Sequence, residues 1–386
     1  MKNKIMYKKH DSFFALQHIK KVKKITHIMD RINKTWKNTS IIKKLSFEHK
    51  KLITKVIQDL SDNSDSSSKI KFKLKSNVVA EIDTIDDLDL PRYLVHRYRY
   101  EIFPSTKTVD EFPPYLQIEP TSICNYRCVF CFETDKTFTN IKNGYMGQMS
   151  LELFKKIIDQ AKGNIEFISI ASRGEPLACP NIVKMLEYTV GKFLNLKLNT
   201  NASLLDDKKC HAILSGGVKT IVFSADAATE PLYSKLRVNG NLTKVLKCIE
   251  NFKKIHETQY PNNPIISRVS GVKFTDEQNL NSMEKVWGGL VDQVAFVNYN
   301  PWENTYQREP NDLKEPCSDL WRRMFVWWDG KTNPCDVDYK SKLSVGVFPD
   351  KKLSELWKSN AYNHLRQVHM KNQRAKLTPC RSCTVI

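Results

Sequence analysis

The sequence predicts an α/β protein built on a parallel sheet, and two observations predict it. From Tyr115 onward, six strand-like runs alternate with five helical patterns, and parallel neighbours need a helical crossover between them. The 386 residues are 41% hydrophobic and 27% charged. That composition supports a sizeable core and excludes collagen-like, low-complexity or wholly disordered chains. The strand count alone does not separate an open doubly wound sheet from a partial barrel. Either one places a ligand at the C-terminal ends of the strands.

Residues 1–110 read as a basic, largely helical extension. The first sixty hold sixteen Lys and Arg against four Asp and Glu, which is most of the net charge of +19. Such a leader suits a polyanion (RNA, anionic lipid or a phosphorylated carrier) or is simply a solvated helical surface. No run reaches the roughly 18 apolar residues that cross a bilayer. The Phe13-Phe14-Ala15-Leu16 run is too short for a signal-peptide core. A cytoplasmic protein is therefore expected, where cysteines stay reduced and ten of them call for metal binding.

Ser46 is placed to cap a helix on which Leu52, Ile53, Val56, Ile57 and Leu60 share one face. Ser/Asp-rich residues 61–69 are expected to be a linker, and residues 70–75 alternate like a half-exposed strand. Residues 83–114, punctuated by Pro91, Pro104, Pro113 and Pro114, are expected to be mostly connecting chain. The core, 111–305, has strands predicted at 115–118, 165–171, 196–199, 220–224, 265–272 and 293–298. Helices are predicted at 151–161, 181–192, 206–214, 243–257 and 276–286. Residues 306–386 carry four cysteines and no βα rhythm.

Just after the first strand stand Cys124, Cys128 and Cys131. Three thiolates on one loop can wrap a corner of an inorganic cluster and leave one iron open. Zinc is the competitor, but closed structural zinc sites want four ligands, and His96 is the one histidine between residues 83 and 205. CxxxCxxC with Phe130 before its third cysteine, directly after the first strand of a βα series, resembles the radical S-adenosylmethionine (SAM) superfamily. That resemblance implies a partial (β/α)6 TIM-like barrel. It also implies a [4Fe–4S] cluster on Cys124, Cys128 and Cys131, whose open iron chelates SAM. Electron transfer would then release a 5′-deoxyadenosyl radical that abstracts a substrate hydrogen. An external one-electron reductant of flavodoxin or ferredoxin type is implied as partner.

Three further matches follow in order, each at a strand end. Arg173-Gly174-Glu175-Pro176 resembles the family's GGEP motif, with Arg for the first Gly. Its Glu would meet the SAM ammonium in a charge-assisted contact. Asn199-Thr200-Asn201-Ala202 is similar to TNG, with Ala for Gly, and Ser224-Ala225-Asp226 with Tyr233 and Arg237 is similar to S-x-D…Y…R. Taken singly, each is an ordinary turn or a solvated helix residue. Together they imply SAM contacts at Phe130, Gly174, Glu175, Asn201, Ser224 and Arg237.

Cys317, then Gly330 and Cys335, then Cys380 and Cys383 resemble the SPASM/twitch extension of these enzymes. Four cysteines rather than seven imply one auxiliary [4Fe–4S] cluster with every iron ligated, suited to an electron relay; zinc is the alternative. In SPASM enzymes that oxidise an alcohol or thiol, the residue at Asp336 is a proposed base, with Asp338 as its bland equal. Cys179, Cys210 and Cys248 lack partners at ligand spacing and are expected in the core. Trp321, Phe325, Trp327 and Trp328 are expected to pack the extension on the barrel, or else to stack on a sugar.

The expected function is a SAM-radical oxidoreductase acting on a small-molecule or carrier-linked substrate. It would oxidise or epimerise a carbinol carbon of a sugar or cyclitol, with the auxiliary cluster as electron acceptor. Two alternatives stand beside it: a maturase modifying a peptide or protein, and, remotely, a zinc-containing nucleic-acid-binding protein. Against the last, aromatic and basic residues are not interleaved in the leader.

Overall fold

The computed structural model describes residues 15–20, 23–61 and 70–386. Its centre is six parallel strands, Tyr115–Ile118, Phe167–Ile170, Asn195–Thr200, Val218–Ser224, Ile266–Lys273 and Gln293–Asn298. All six lie where the alternation placed them, and they stand side by side in chain order. A doubly wound sheet reverses its order at a switch point; this one never reverses, so it is wound as a partial barrel.

Side-chain alternation explains the winding. Leu116, Ile118, Ile168, Ile170, Leu196, Leu198, Ile221, Phe223, Val269, Val294 and Phe296 join one buried cluster with helix residues such as Phe154, Ile158, Met185, Ile213, Val245 and Trp287. The intervening positions, Gln117, Ser169, Lys197, Thr220, Arg268 and Gln293, are polar and face the barrel interior. A strand apolar on one side only buries that side against its helix and leaves a polar bore. The helices between the strands also arise as expected. Leu151–Ala161 is capped by Ser150, and Ile182–Tyr188, Asp207–Ser215, Leu242–Gln259 and Leu280–Trp287 fill the other gaps.

The structure departs from expectation in three places. Residues 83–114 are not mainly connecting chain: Leu90–Thr106 is a 17-residue helix. Pro91 sits in its first turn, where the missing N–H costs nothing, and Pro104 lies in its last turn. Residues 70–75 form no strand; Phe72 is buried and its N–H donates to Asp59. With no neighbouring strand to pair with, the alternating segment docks its apolar side into a helical layer. The third departure is at the sheet edges. Ala15–His18 adds antiparallel to the last barrel strand, and Arg323–Val326 adds parallel to the first, continuing into the hairpin strand Lys331–Asn333.

Ser46 does cap the helix Phe47–Ser61, accepting the His49 N–H at 3.2 Å. Beyond Ser61, the expected linker lies outside the described residues. The helices Ile25–Lys37, Phe47–Ser61, Ser76–Asp83 and Leu90–Thr106 share a core that also takes in Phe167 and Leu194 of the barrel. Leu90–Thr106 lies across the N-terminal end of the barrel. Tyr93, His96 and Tyr100 meet Phe167, and Tyr100 also meets Tyr115. The helix therefore closes the end opposite the loops that carry the motifs. Among the described residues, no helix is long and apolar enough to cross a membrane.

Candidate functional site

The loop after the first strand is held by neighbours distant in sequence. Arg127–Cys128 pairs antiparallel with Arg237–Val238, so that Cys128 opposes Arg237, and the Val129 N–H donates to the Leu236 carbonyl at 3.0 Å. Asn125 donates to Ser203 Oγ at 2.8 Å and accepts from Asn201 Nδ2 at 2.9 Å. The Cys124 sulfur accepts the Tyr126 N–H at 3.4 Å, and the Arg237 guanidinium is 3.6 Å from the Cys128 sulfur. Burial raises all three thiol pKa values; after burial, the largest cause at Cys131 is Cys128.

The motif residues converge around this loop. Glu175 is buried: Thr200 Oγ1 donates to it at 2.6 Å, the Asn201 N–H at 2.7 Å and the Leu177 N–H at 3.0 Å. Burial raises its pKa and those three donors oppose the shift. A carboxylate fixed this way needs no reorganisation to meet an ammonium. Asn201 is spent on the loop itself, since its Oδ1 takes the Ser203 N–H and its amide bonds Asn125. Arg237 ion-pairs with the fully buried Asp226 at 2.5 Å and lies over the Phe130 ring.

Gly174 has a steric reason to be glycine. A Cβ there would come within 2.5 Å of the Thr121 carbonyl and 2.7 Å of the Ile123 nitrogen. Gly174→Ala is therefore expected to push back the segment 121–123 that leads into Cys124. The cost should be about 1–3 kcal/mol in denaturant unfolding, with less iron retained after reconstitution. Unchanged stability and iron would refute this.

The C-terminal cysteines assemble from three segments. Cys317 precedes the turn Ser318–Trp321, Cys335 follows the hairpin, and Cys380 and Cys383 share the last turn. Burial raises each of the Cys317, Cys335 and Cys380 thiols. After burial the largest cause is Cys380 at Cys335, and Cys383 at Cys380. Arg374 organises the group from beneath, donating to the carbonyls of Glu315, Val385 and Cys383 at 2.9–3.1 Å. Nothing in the local sequence marks Arg374 for this task.

Both sets suit iron–sulfur clusters. They are soft sulfur donors, buried or partly buried and close enough to perturb one another, and N–H groups point at Cys124 and Cys383. Among the described residues, no three His, Cys, Asp or Glu side chains close on a single metal ion.

Both sets open on one cavity of about 370 Å³. Phe130, Gly174, Glu175, Asn201, Ser224, Arg237 and Asp336 also line it. Asp338 does not. It is fully buried, accepting from Tyr306 Oη at 2.8 Å and from the Leu343 N–H at 2.7 Å, and burial lifts its pKa to about 6. Among the described residues, none of Trp321, Phe325, Trp327 and Trp328 lines the cavity. Trp321, Phe325 and Trp327 are packed in the interior, as are Cys179 and Cys210, and Cys248 rests against the barrel core.

One pair was invisible to sequence reasoning. Arg173, standing where the motif resemblance expects glycine, donates twice to the fully buried Glu119, both at 2.6 Å. It also donates to the Tyr339 carbonyl at 2.7 Å and lies over the Trp327 ring. Glu119 in turn accepts the Trp328 N–H at 3.2 Å. The substitution thus fastens the barrel rim to the C-terminal segment.

Residues 118–278 match the Radical SAM superfamily model, and residues 317–384 match SPASM, an iron–sulfur cluster-binding domain. The tungsten-containing aldehyde ferredoxin oxidoreductase cofactor-modifying protein of Pyrococcus furiosus is 32% identical over 306 residues. The match spans 66% of this chain and 83% of that one. A GTP 3′,8-cyclase of Clostridium botulinum is 28% identical over 195 residues, and the match covers 56% of its length. Among solved structures, Streptococcus suis SuiB has a TM-score of 0.50 at 17% identity, over 94% of this chain and 87% of its own. Native anSMEcpe with bound AdoMet has a TM-score of 0.51 at 17% identity, over 70% and 88%. At those identities the likeness shows the fold. The three-cysteine loop, the motif-bearing strand ends and the match over most of the Pyrococcus protein lead to one conclusion: the chain belongs to the radical SAM superfamily, carries a SPASM domain, and uses SAM with main and auxiliary [4Fe–4S] clusters.

Proposed function

We propose that the chain is a radical SAM oxidoreductase acting on a carbinol carbon of a polar small molecule or carrier-linked sugar. The observation that carries this reading is the shared cavity, on which both cysteine sets, Glu175 and Asp336 open. In this reading Cys124, Cys128 and Cys131 hold the main cluster, and Cys317, Cys335, Cys380 and Cys383 hold the auxiliary one. Bound SAM, reductively cleaved, supplies a radical able to take hydrogen from carbon. The chain's own residues bind and orient. Glu175, already fixed by three donors, offers its carboxylate to the SAM ammonium. Phe130, Gly174, Asn201, Ser224 and Arg237 shape the rest of that seat. Asp336, beside Cys335, accepts the substrate hydroxyl proton next to the electron acceptor. A flavodoxin- or ferredoxin-type donor delivers the electron, and exposed lysines of the leader such as Lys34, Lys51 and Lys55 meet a polyanion.

The test is anaerobic reconstitution with SAM, dithionite and a panel of polyols and carrier-linked sugars. The expected result is 5′-deoxyadenosine released together with a ketone product; deoxyadenosine with no oxidised product from any of them would sink the reading. Asp336→Asn is expected to lower ketone formed per deoxyadenosine released by about 10²–10⁴. An unchanged ratio would remove Asp336 from the chemistry. A second reading, modification of a peptide or protein, is favoured by the likeness to Streptococcus suis SuiB, which was solved with the precursor peptide SuiA bound. Product formation only with a polypeptide would select it.

A further inference from the structure

Most cations around the cavity are answered. Arg173 has Glu119, Arg237 has Asp226, and Arg374 has three carbonyls. Lys197 is the exception. It points into the bore two positions before Asn199 on the third barrel strand, in register with Ser169 and Thr220. Its ammonium has no hydrogen bond or ion pair among the described residues.

The surroundings of Lys197 add positive charge. Arg323 lies in register with Tyr115, and Arg322, Arg323, Tyr115 and Gln117 line the same part of the cavity. The two guanidinium groups share one carboxylate oxygen of Asp319, at 3.7 Å and 3.5 Å. Each gives one further N–H to Tyr100, Arg322 to its carbonyl and Arg323 to its hydroxyl, which leaves the remaining N–H groups for a ligand. Arg268, on the fifth strand, donates to the amide oxygen of Gln293 and lies within the field of the Glu81 carboxylate. Burial first, then Arg323 and Arg268, pull the Lys197 pKa down to about 8, against a smaller opposing pull from Tyr100 and the Glu81 carboxylate. An ammonium held in such a place without a partner costs free energy, and an apolar side chain of similar volume would serve the fold at least as well.

We propose that Lys197, with Arg322 and Arg323, forms an anion subsite at the closed end of the barrel that receives a carboxylate or phosphate group of the substrate. The proposal deepens the function given above and rests on it. Two planar forks and one point charge suit the oxygens of either anion. The helix Leu90–Thr106 closes this end, so the substrate enters anion first. Its neutral part then lies nearer the rim, between the cysteine sets.

The test titrates inorganic phosphate and glutarate separately into the reconstituted full-length protein without SAM, followed by calorimetry. Wild type is expected to bind one ion per chain, and the tighter probe names the anion. Lys197→Met should weaken that binding by about tenfold or more and should melt no lower than wild type. Lys197→Arg should retain most of the affinity and guards against a folding defect in the first variant. The proposal is overturned if neither probe binds wild type, or if Lys197→Met binds as tightly, which would mark an adventitious ion only. Ketone formation by wild type from the panel of polyols and carrier-linked sugars tests the function given above separately. The two ideas can therefore fail independently.

Discussion

Cys124→Ala is expected to reduce 5′-deoxyadenosine formation to background and to lower iron from about eight to about four per chain, since one cubane cluster is lost and the other kept. The loop would still close, because Arg127–Cys128 pairs with Arg237–Val238 and Asn125 ties to Ser203 and Asn201, none of which involves the Cys124 side chain. A folded protein lacking only the main cluster is therefore the expected species. Iron and sulfide assays on the anaerobically reconstituted variant, beside a product assay, check it. Retained SAM cleavage would refute the assignment of the first cysteine set. Loss of all eight irons would show instead that the two sets do not assemble independently.

The largest expected effect on stability comes from Arg173→Met. The change leaves the Glu119 carboxylate fully buried, with backbone N–H donors from Arg173 and Trp328 but no cation. Breaking one side of a buried pair costs about 3–5 kcal/mol, whereas replacing both partners with neutral groups of similar size is often tolerated. Denaturant unfolding should therefore show a deep minimum for Arg173→Met and a recovery of most of the loss in the double variant with Glu119→Gln. Because Arg173 also holds the Tyr339 carbonyl, and Tyr339 stacks on Phe132 next to Cys131, the single variant should lose iron from both cysteine sets on dilution. Additive effects of the two substitutions would contradict this account of the pair.

What was legible is what repeats locally. Leu196 and Leu198 alternate with Lys197 and Asn199, and that period places the strand and its two faces without any tertiary information. The helix Leu151–Ala161, with Ser150 as its cap, is equally local. The helix Leu90–Thr106 was not legible, because its two prolines read as breakers: Pro91 sits in the first turn, where no N–H is needed, and the Tyr100 carbonyl that Pro104 cannot serve accepts from the distant Arg322 instead. Residues 70–75 show the converse: a clean alternation forms no strand when no neighbouring edge is there to pair with it.

The chemistry of the family can be read from contiguous residues. The three-cysteine spacing, Gly174-Glu175 and the order of strand-end motifs are contiguous patterns, and thiolates within eight residues share one loop however the chain folds. Which groups answer one another across the barrel emerges with the closed fold. It paired Glu119 with Arg173, set Asp336 rather than Asp338 on the cavity, and left Lys197 facing two arginines. Those relations join residues tens to hundreds of positions apart. Their energies depend on burial and on the charges nearby, and neither quantity exists until the sheet has closed around them.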